Sequence, residues 1–220
     1  MSAEIDPSAR PNRRQRQQEE TRREILEAAL VCFSSRGFRE TRMADIAEAA
    51  GFTAASLYTY FRSKLEIVLG CEALLADEMQ AALGDPPAEP HSDRNEFIRD
   101  FRSRVQAMTA WCGRRREGIA LFWRLRWLGD PDVVGGDEAA LMARATAIVN
   151  HVGGLLRALG IERFSWLDAD EAAGVLLSSM EAAIVRSVMN CEDCNNNGPE
   201  VDEMRISRIV LFGILGGENM

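Results

Sequence analysis

The sequence has few of the features that announce an enzyme, a secreted protein or a membrane span. No apolar run approaches the roughly 20 residues that a bilayer-crossing helix requires. The arginine-rich N-terminus lacks the apolar core of a secretory signal, so a cytoplasmic location is expected. Histidine is reduced to His91, in a proline-rich stretch, and His151, in a helical one, neither with an evident partner. Histidine pairs at metal spacing, a glycine-rich phosphate loop and a nucleophile elbow are all missing, so no catalytic residue, metal or cofactor is assigned. The five cysteines, Cys32, Cys71, Cys112, Cys191 and Cys194, are odd in number and scattered, which argues against a disulfide framework. Cys191 and Cys194 alone lie close, as Cys-Glu-Asp-Cys. That spacing suits a redox pair or half of a zinc site completed by a second subunit, and equally suits loop cysteines with no special role.

What is present describes a globular chain of 220 residues, 46% hydrophobic and 27% charged. That length accommodates one large helical domain or a small domain joined to a bigger one. The net charge of −8 at pH 7 is unevenly spread. Residues 1–64 carry 11 Lys or Arg against 9 Asp or Glu, while residues 65–220 carry 15 against 25. An acidic body would suppress indiscriminate contact with polyanions and leave a local basic surface to make a chosen one.

The stretch from Thr41 to Lys64 has the spacing of a helix-turn-helix. Met43, Ile46, Ala47 and Ala50 form one apolar stripe, Gly51 suits a left-handed turn, Thr53 is placed to cap a second helix, and Leu57 and Phe61 stand four apart on it. Ala54, Ala55, Ser56, Tyr58, Thr59 and Tyr60 are then divided between packing and an exposed face that is polar and aromatic yet almost uncharged. A face of that kind reads bases or holds phosphates. Ahead of it, residues 1–15 read as a disordered basic arm, and Arg10, Arg13, Arg14, Arg16, Arg22 and Arg23 form an arginine cluster suited to phosphates or a minor groove. A solvated tail is the plainer reading. Ile25, Leu26, Ala29, Leu30 and Phe33 predict a helix whose regular pattern starts at a Thr21–Glu24 capping box and stops at Gly37. Phe33 and Phe38 should pack it on Ile46, Leu57 and Phe61, and Ser63 with Glu66 should open the next helix, placing Lys64 in its first turn near a phosphate.

Between residues 18 and 70 the sequence resembles the TetR family of bacterial transcriptional regulators. The resemblance rests on Arg36-Gly37-Phe38, Asp45-Ile46-Ala47 with Ala50-Gly51, Leu57-Tyr58 with Tyr60-Phe61, and Ser63-Lys64. It implies a dimer reading a palindromic operator in double-stranded DNA, with the second helix in the major groove. Tyr58 and Lys64 would hold phosphates; Thr59, Tyr60 and the helix start from Thr53 would lie close to DNA, flanked by Thr41 and Arg42. Phe52, Ala55 and Ala44 depart from the family pattern. Phe52 suggests altered packing, while Ala55 puts a methyl against the groove and can change base preference.

Beyond residue 70 the residues speak alone. Ile67, Val68, Cys71, Leu74, Leu75 and Met79 predict a long helix ending near Gly84, a rigid lever into the body, followed by a proline-rich loop. Further helices are predicted at about 93–112, 116–129, 137–159, 168–190 and 200–215. The expected fold is all-α, with an N-terminal three-helix domain (residues 16–64) and a C-terminal helical body (65–220) that binds ligand and dimerises. The last two helices suit a bundle across a two-fold axis. Phe101, Val105, Met108, Trp111, Trp123 and Trp127 are candidates to line a cavity for a small apolar or amphipathic effector, although each also serves as core. Arg124 and Arg126 are candidates to meet an anionic group of that ligand, or simply a solvated face. The reading is a ligand-responsive, dimeric repressor. Its alternatives are a thiol- or metal-responsive regulator using Cys191 and Cys194, and a helical enzyme or carrier that does not touch DNA.

Overall fold

A computed structural model describes residues 13–127 and 131–189 and, within them, the side chains of residues 13–125, 143 and 146–182. All the elements described are helical: α1 (Arg13–Arg36), α2 (Met43–Ala49), α3 (Ala54–Tyr60), α4 (Lys64–Leu83), α5 (Arg94–Trp127), α6 (Pro131–Leu159) and α7 (Ala169–Met189), with a 3-10 turn at Ile161–Arg163. The chain divides into two compact units, Met1–Cys71 and Glu72–Met220, so the division falls inside α4.

The first unit is built on the expected stripes. Ile25, Ala29, Leu30 and Phe33 of α1, Ile46 and Ala47 of α2, Leu57 of α3 and Ile67 and Val68 of α4 are all buried, as are Phe38 and Phe61 from the connections. Phe33 and Phe38 meet with ring centroids 5.6 Å apart. Gly51, at φ 74°, takes the left-handed conformation that lets α2 stop and the chain turn toward α3. α1 differs from expectation at its start: it begins at Arg13, and Thr21 and Glu24 lie in mid-helix. The run from Arg13 to Glu20 contains only Arg, Gln and Glu, good helix formers without a breaker, so propensity extends the helix N-terminally beyond its apolar stripe. The proposed arm therefore overlaps α1 at residues 13–15, and its remainder lies outside the described residues.

The second unit packs α5, α6 and α7 on one another. α5 is one helix of 34 residues where a break at Gly113 was expected. A mid-helix glycine costs about 1 kcal/mol, but the buried stripe Phe97, Phe101, Val105, Met108, Cys112 reaches Gly113 and resumes in register at Ala120 and Leu121, so packing overrides propensity. α6 likewise starts at Pro131 instead of near residue 137, with proline in the first turn, where its missing N–H is tolerated. Gly153 of α6 allows close approach to α7, because a Cβ there would come within 2.3 Å of an Asp170 carboxylate oxygen. The helix expected at 200–215 lies outside the described residues, as does the end of the preceding one.

The loop after α4 is tied down by polar contacts. The His91 backbone N–H donates to the Leu159 carbonyl at 3.2 Å, and the His91 Nε2 meets Asp100 Oδ2 at 3.0 Å. Arg104 pairs with the same carboxylate at 2.9 Å and donates to the Leu83 carbonyl at the end of α4. Partial burial pushes the Asp100 carboxyl upward, but its bonds to His91 and Arg104 outweigh this and hold it below its ordinary value of 3.8. A depressed carboxylate stabilises the fold above its unfolded value, and that contribution disappears as pH falls through the lower folded value. Below about pH 3.8 the wild type should therefore lose stability more steeply than Asp100→Asn. Urea midpoints taken at descending pH measure this, and parallel curves would exclude the linkage.

Candidate nucleic-acid interface and body cavity

α3 has only seven residues, too few to be helical unaided, so its presentation depends on its ends and one buried side chain. At the N-terminus, Thr53 Oγ1 accepts from the Ser56 N–H at 3.1 Å, the cap read from the sequence. In the middle, Leu57 is fully buried. At the C-terminus, Arg22 reaches across from α1, donating from Nη1 to the Tyr60 carbonyl while its guanidinium lies 4.1 Å from the Phe61 ring centroid. Its other nitrogen stands 3.8 Å from Glu66 of α4. Arg22, assigned from the sequence to the phosphate-seeking cluster, is thus a clamp within the domain, whereas Arg13, Arg14 and Arg16 are exposed along α1.

With Leu57 inward, Ala54, Ala55, Tyr58 and Thr59 face outward, and Tyr58 is 53% exposed. Thr53 and Arg42 are exposed too, while Ser56 is half-buried. Tyr60 is also half-buried and turns edge-on to Phe52, with centroids 6.2 Å apart. The unusual aromatic at position 52 is therefore matched by an aromatic partner. The Thr59 hydroxyl donates to the Ser56 carbonyl at 2.7 Å, leaving its methyl and its acceptor lone pairs outermost.

Two predicted contacts are placed differently from expectation. Thr41 is 1% exposed, and its hydroxyl faces the Cys32 and Gly37 carbonyls at 3.2 and 2.7 Å, so its side chain joins α1 to α2 and is unavailable to a duplex. A small hydroxyl residue before a helix looks like a phosphate ligand in sequence, but here the chain after α1 turns back and buries it. Lys64, the sole lysine of the chain, lies 4.2 Å over the Phe38 ring and donates to the Phe38 and Arg39 carbonyls at 2.6 and 3.2 Å. Its ammonium ties the start of α4 to the turn after α1 and retains one donor for another partner. Half of the Ser63–Glu66 box forms: Ser63 Oγ accepts from Glu66 N–H at 3.1 Å, but the Glu66 carboxylate accepts from Arg62 N–H at 2.7 Å in place of the Ser63 N–H.

The second unit has a partly open cavity of about 100 Å³. Its apolar wall includes Leu75 and Met79 of α4, Met108, Trp111 and Phe122 of α5 and Met180 of α7. Of the residues proposed for it, Met108, Trp111 and Trp123 line it. Phe101 and Val105 are correctly apolar but belong to the core, each 1% exposed and about two turns and one turn ahead of Met108 on α5. The Trp127 and Arg126 side chains lie outside the described residues, and Arg124 is exposed and does not line the cavity. Sequence reasoning missed two carboxylates in the wall, Glu72 and Glu181. The signal was there: Glu72 follows Val68 by four positions and precedes Leu75 by three, which puts a charge on the buried stripe of α4. Cys112 shares the wall, and burial, reinforced by the negative charge of Glu181, pushes its thiol up to about 12, so it is an inert apolar lining group. Cys32, Cys71 and Cys112 are free thiols, and Cys191 and Cys194 lie outside the described residues.

Comparison with known proteins agrees with this geometry. Residues 25–71, the span of α1 to α4 that forms the helix-turn-helix, match the family model for bacterial regulatory proteins of the tetR family. Its helix-turn-helix region is that of the TetR family. It is 36% identical over 90 residues to an uncharacterised HTH-type transcriptional regulator of Bacillus subtilis, YdgC, covering 41% of this chain and 33% of that protein. Over 47 residues it is 49% identical to the HTH-type transcriptional repressor KstR2 of Mycobacterium tuberculosis, covering 21% of this chain and 24% of the relative. The chain thus spans about a quarter to a third of the length of these curated relatives, which are named as regulators, not as enzymes. The fatty acid degradation regulator FadR of Bacillus halodurans has the same fold at 16% identity, covering 90% of this chain and 96% of that one with a TM-score of 0.64.

Replacing Lys64 by Met keeps the stem and removes the ammonium from two carbonyls. Loss of these charge-assisted bonds should cost about 1–3 kcal/mol of stability in chemical denaturation. An unchanged midpoint would show that the clamp contributes nothing to the fold.

Proposed function

We propose that this TetR-family chain is a dimeric, cytoplasmic repressor that binds a palindromic operator in double-stranded DNA and is released by a small apolar or amphipathic effector. The observation that carries the reading is the outward face of α3: Ala54, Ala55, Tyr58 and Thr59, supported from behind by Leu57 and at its ends by Thr53 and Arg22. A short, rigid, nearly uncharged helix suits a major groove. Arg13, Arg14, Arg16 and Arg42, all exposed, add phosphate contacts to the one that Tyr58 makes. The naming of KstR2 as a repressor supports the sign of regulation.

For the switch, α4 is the natural coupling element. The same helix supplies Ile67 and Val68 to the core of the first unit and Leu75 and Met79 to the cavity wall of the second. An effector that binds better when α4 is displaced favours a spacing of the two recognition helices in the dimer that no longer fits successive major grooves, roughly 34 Å apart. Release follows from its differential affinity for the two states. α7 and the segment after it are the proposed dimer-forming elements.

The test is binding to a palindrome retained by the purified protein from its own genome, at increasing salt. A dimer neutralising roughly 6–10 phosphates should lose about 10³–10⁵ in affinity between about 50 and 200 mM salt. A flat salt dependence would instead favour the helical enzyme or carrier. Among variants, Tyr58→Phe should weaken all sequences alike by removing one phosphate donor, whereas Ala55→Gly or Thr59→Val should change the preferred bases. Competition with a panel of single-base operator changes distinguishes these outcomes.

A further inference from the structure

Trp111 faces the cavity with its rings and α4 with its N–H. The indole lines the wall at 8% exposure, and its Nε1 donates to Glu78 Oε2 at 3.3 Å. The same oxygen accepts from Arg115 Nε at 2.7 Å and the second oxygen from Arg115 Nη2, so the guanidinium grips the carboxylate at two points. Trp111 and Arg115 stand four apart on α5, on one face of the helix. Glu78 meets them from α4, where Leu75, Ala76 and Met79 on either side of it belong to the cavity wall. With side-chain exposures of 26% for Arg115 and 17% for Glu78, the pair is held largely out of water. Other parts of the wall are of a different kind. Met79, Met108 and Met180 are flexible and fit themselves to a guest, whereas an indole is rigid and moves only as a body.

We propose that Glu78 is a positioning residue through which α4 sets the ring of Trp111, and with it the shape of the cavity, while Arg115 holds the carboxylate in place. This rests on the effector reading above and names the contact that carries it. A guest accommodated by the methionines changes their rotamers and leaves the helices where they are. One that turns the Trp111 ring must either draw its N–H away from Glu78 or draw α4 along with it. An indole N–H is a donor only, and a bond lost within a mainly apolar wall is costly, so ring and carboxylate move together. By reciprocity, a shift of α4 on operator binding turns the ring. Contact with Trp111, more than occupancy of the cavity, then separates a molecule that releases DNA from one that merely binds.

Nitrogen-15 labelling of the four tryptophans in the full chain gives each indole N–H its own signal, and Trp111→Phe identifies the one concerned. The Trp111 proton should exchange with water at least about tenfold more slowly than that of Trp166, which is 73% exposed. Glu78→Leu should remove most of that protection. Arg115→Met leaves the acceptor but frees it, and should remove part of the protection even if Glu78→Leu does not fold. Adding the operator fragment should shift the Trp111 signal in the wild type and shift it less in either variant, with anisotropy following DNA binding in the same samples. Exchange at the rate of Trp166, or protection unchanged in the variants, overturns the proposal. If no fragment binds while protection at Trp111 still depends on Glu78, the regulator reading fails and the positioning of the ring stands. If operator binds and the Trp111 signal does not respond, the regulator reading stands and the link from Glu78 to α4 is overturned.

Discussion

A helix of seven residues cannot hold its own shape in water, and the placement of every outward residue of α3 is inherited from what grips it. The grip has three points: a cap at Thr53, a buried anchor at Leu57, and Arg22, which reaches from α1 to the last carbonyl of α3 and lies on Phe61. Lys64 repeats the device one connection later, binding the start of α4 to the turn after α1. Two cations that the sequence would assign to phosphates help to hold the small domain closed. The cost of ordering a short element is met by charged groups satisfied on backbone carbonyls, which is stronger than neutral hydrogen bonding and more directional than apolar packing.

The body solves a different problem. Its helices are long enough to be stable through packing, and it can afford imperfections in its stripe: a glycine inside α5, a thiol and two carboxylates in the wall of a cavity.

How much of this was legible in the sequence follows from what each signal depends on. Periodicity identified the helices because burial of a stripe is a local pattern, and Gly51 and Thr53 were readable because turn and cap chemistry acts over three or four residues. Thr41, Arg22 and Lys64 were assigned outward because residue type is a guide to solvent only until tertiary structure brings a carbonyl within reach. Contacts such as Arg22 to Tyr60, 38 positions apart, leave no trace in spacing. The break expected at Gly113 failed for a related reason: local propensity was outweighed by a register that continues on both sides. In the cavity, aromatic and methionine types were found correctly on α5, but which turn faced inward was not, and half the wall comes from helices distant in sequence.

The role of Lys64 has a consequence for the chemistry of the molecule. In 220 residues there is one ε-amine, and it is engaged with two carbonyls and a ring. Acylation of this side chain would abolish the charge that joins the turn after α1 to α4. Loss of DNA binding after such a reaction would therefore report a loosened domain as readily as a blocked phosphate contact, and the guanidinium groups of the surrounding arginines would not share the label.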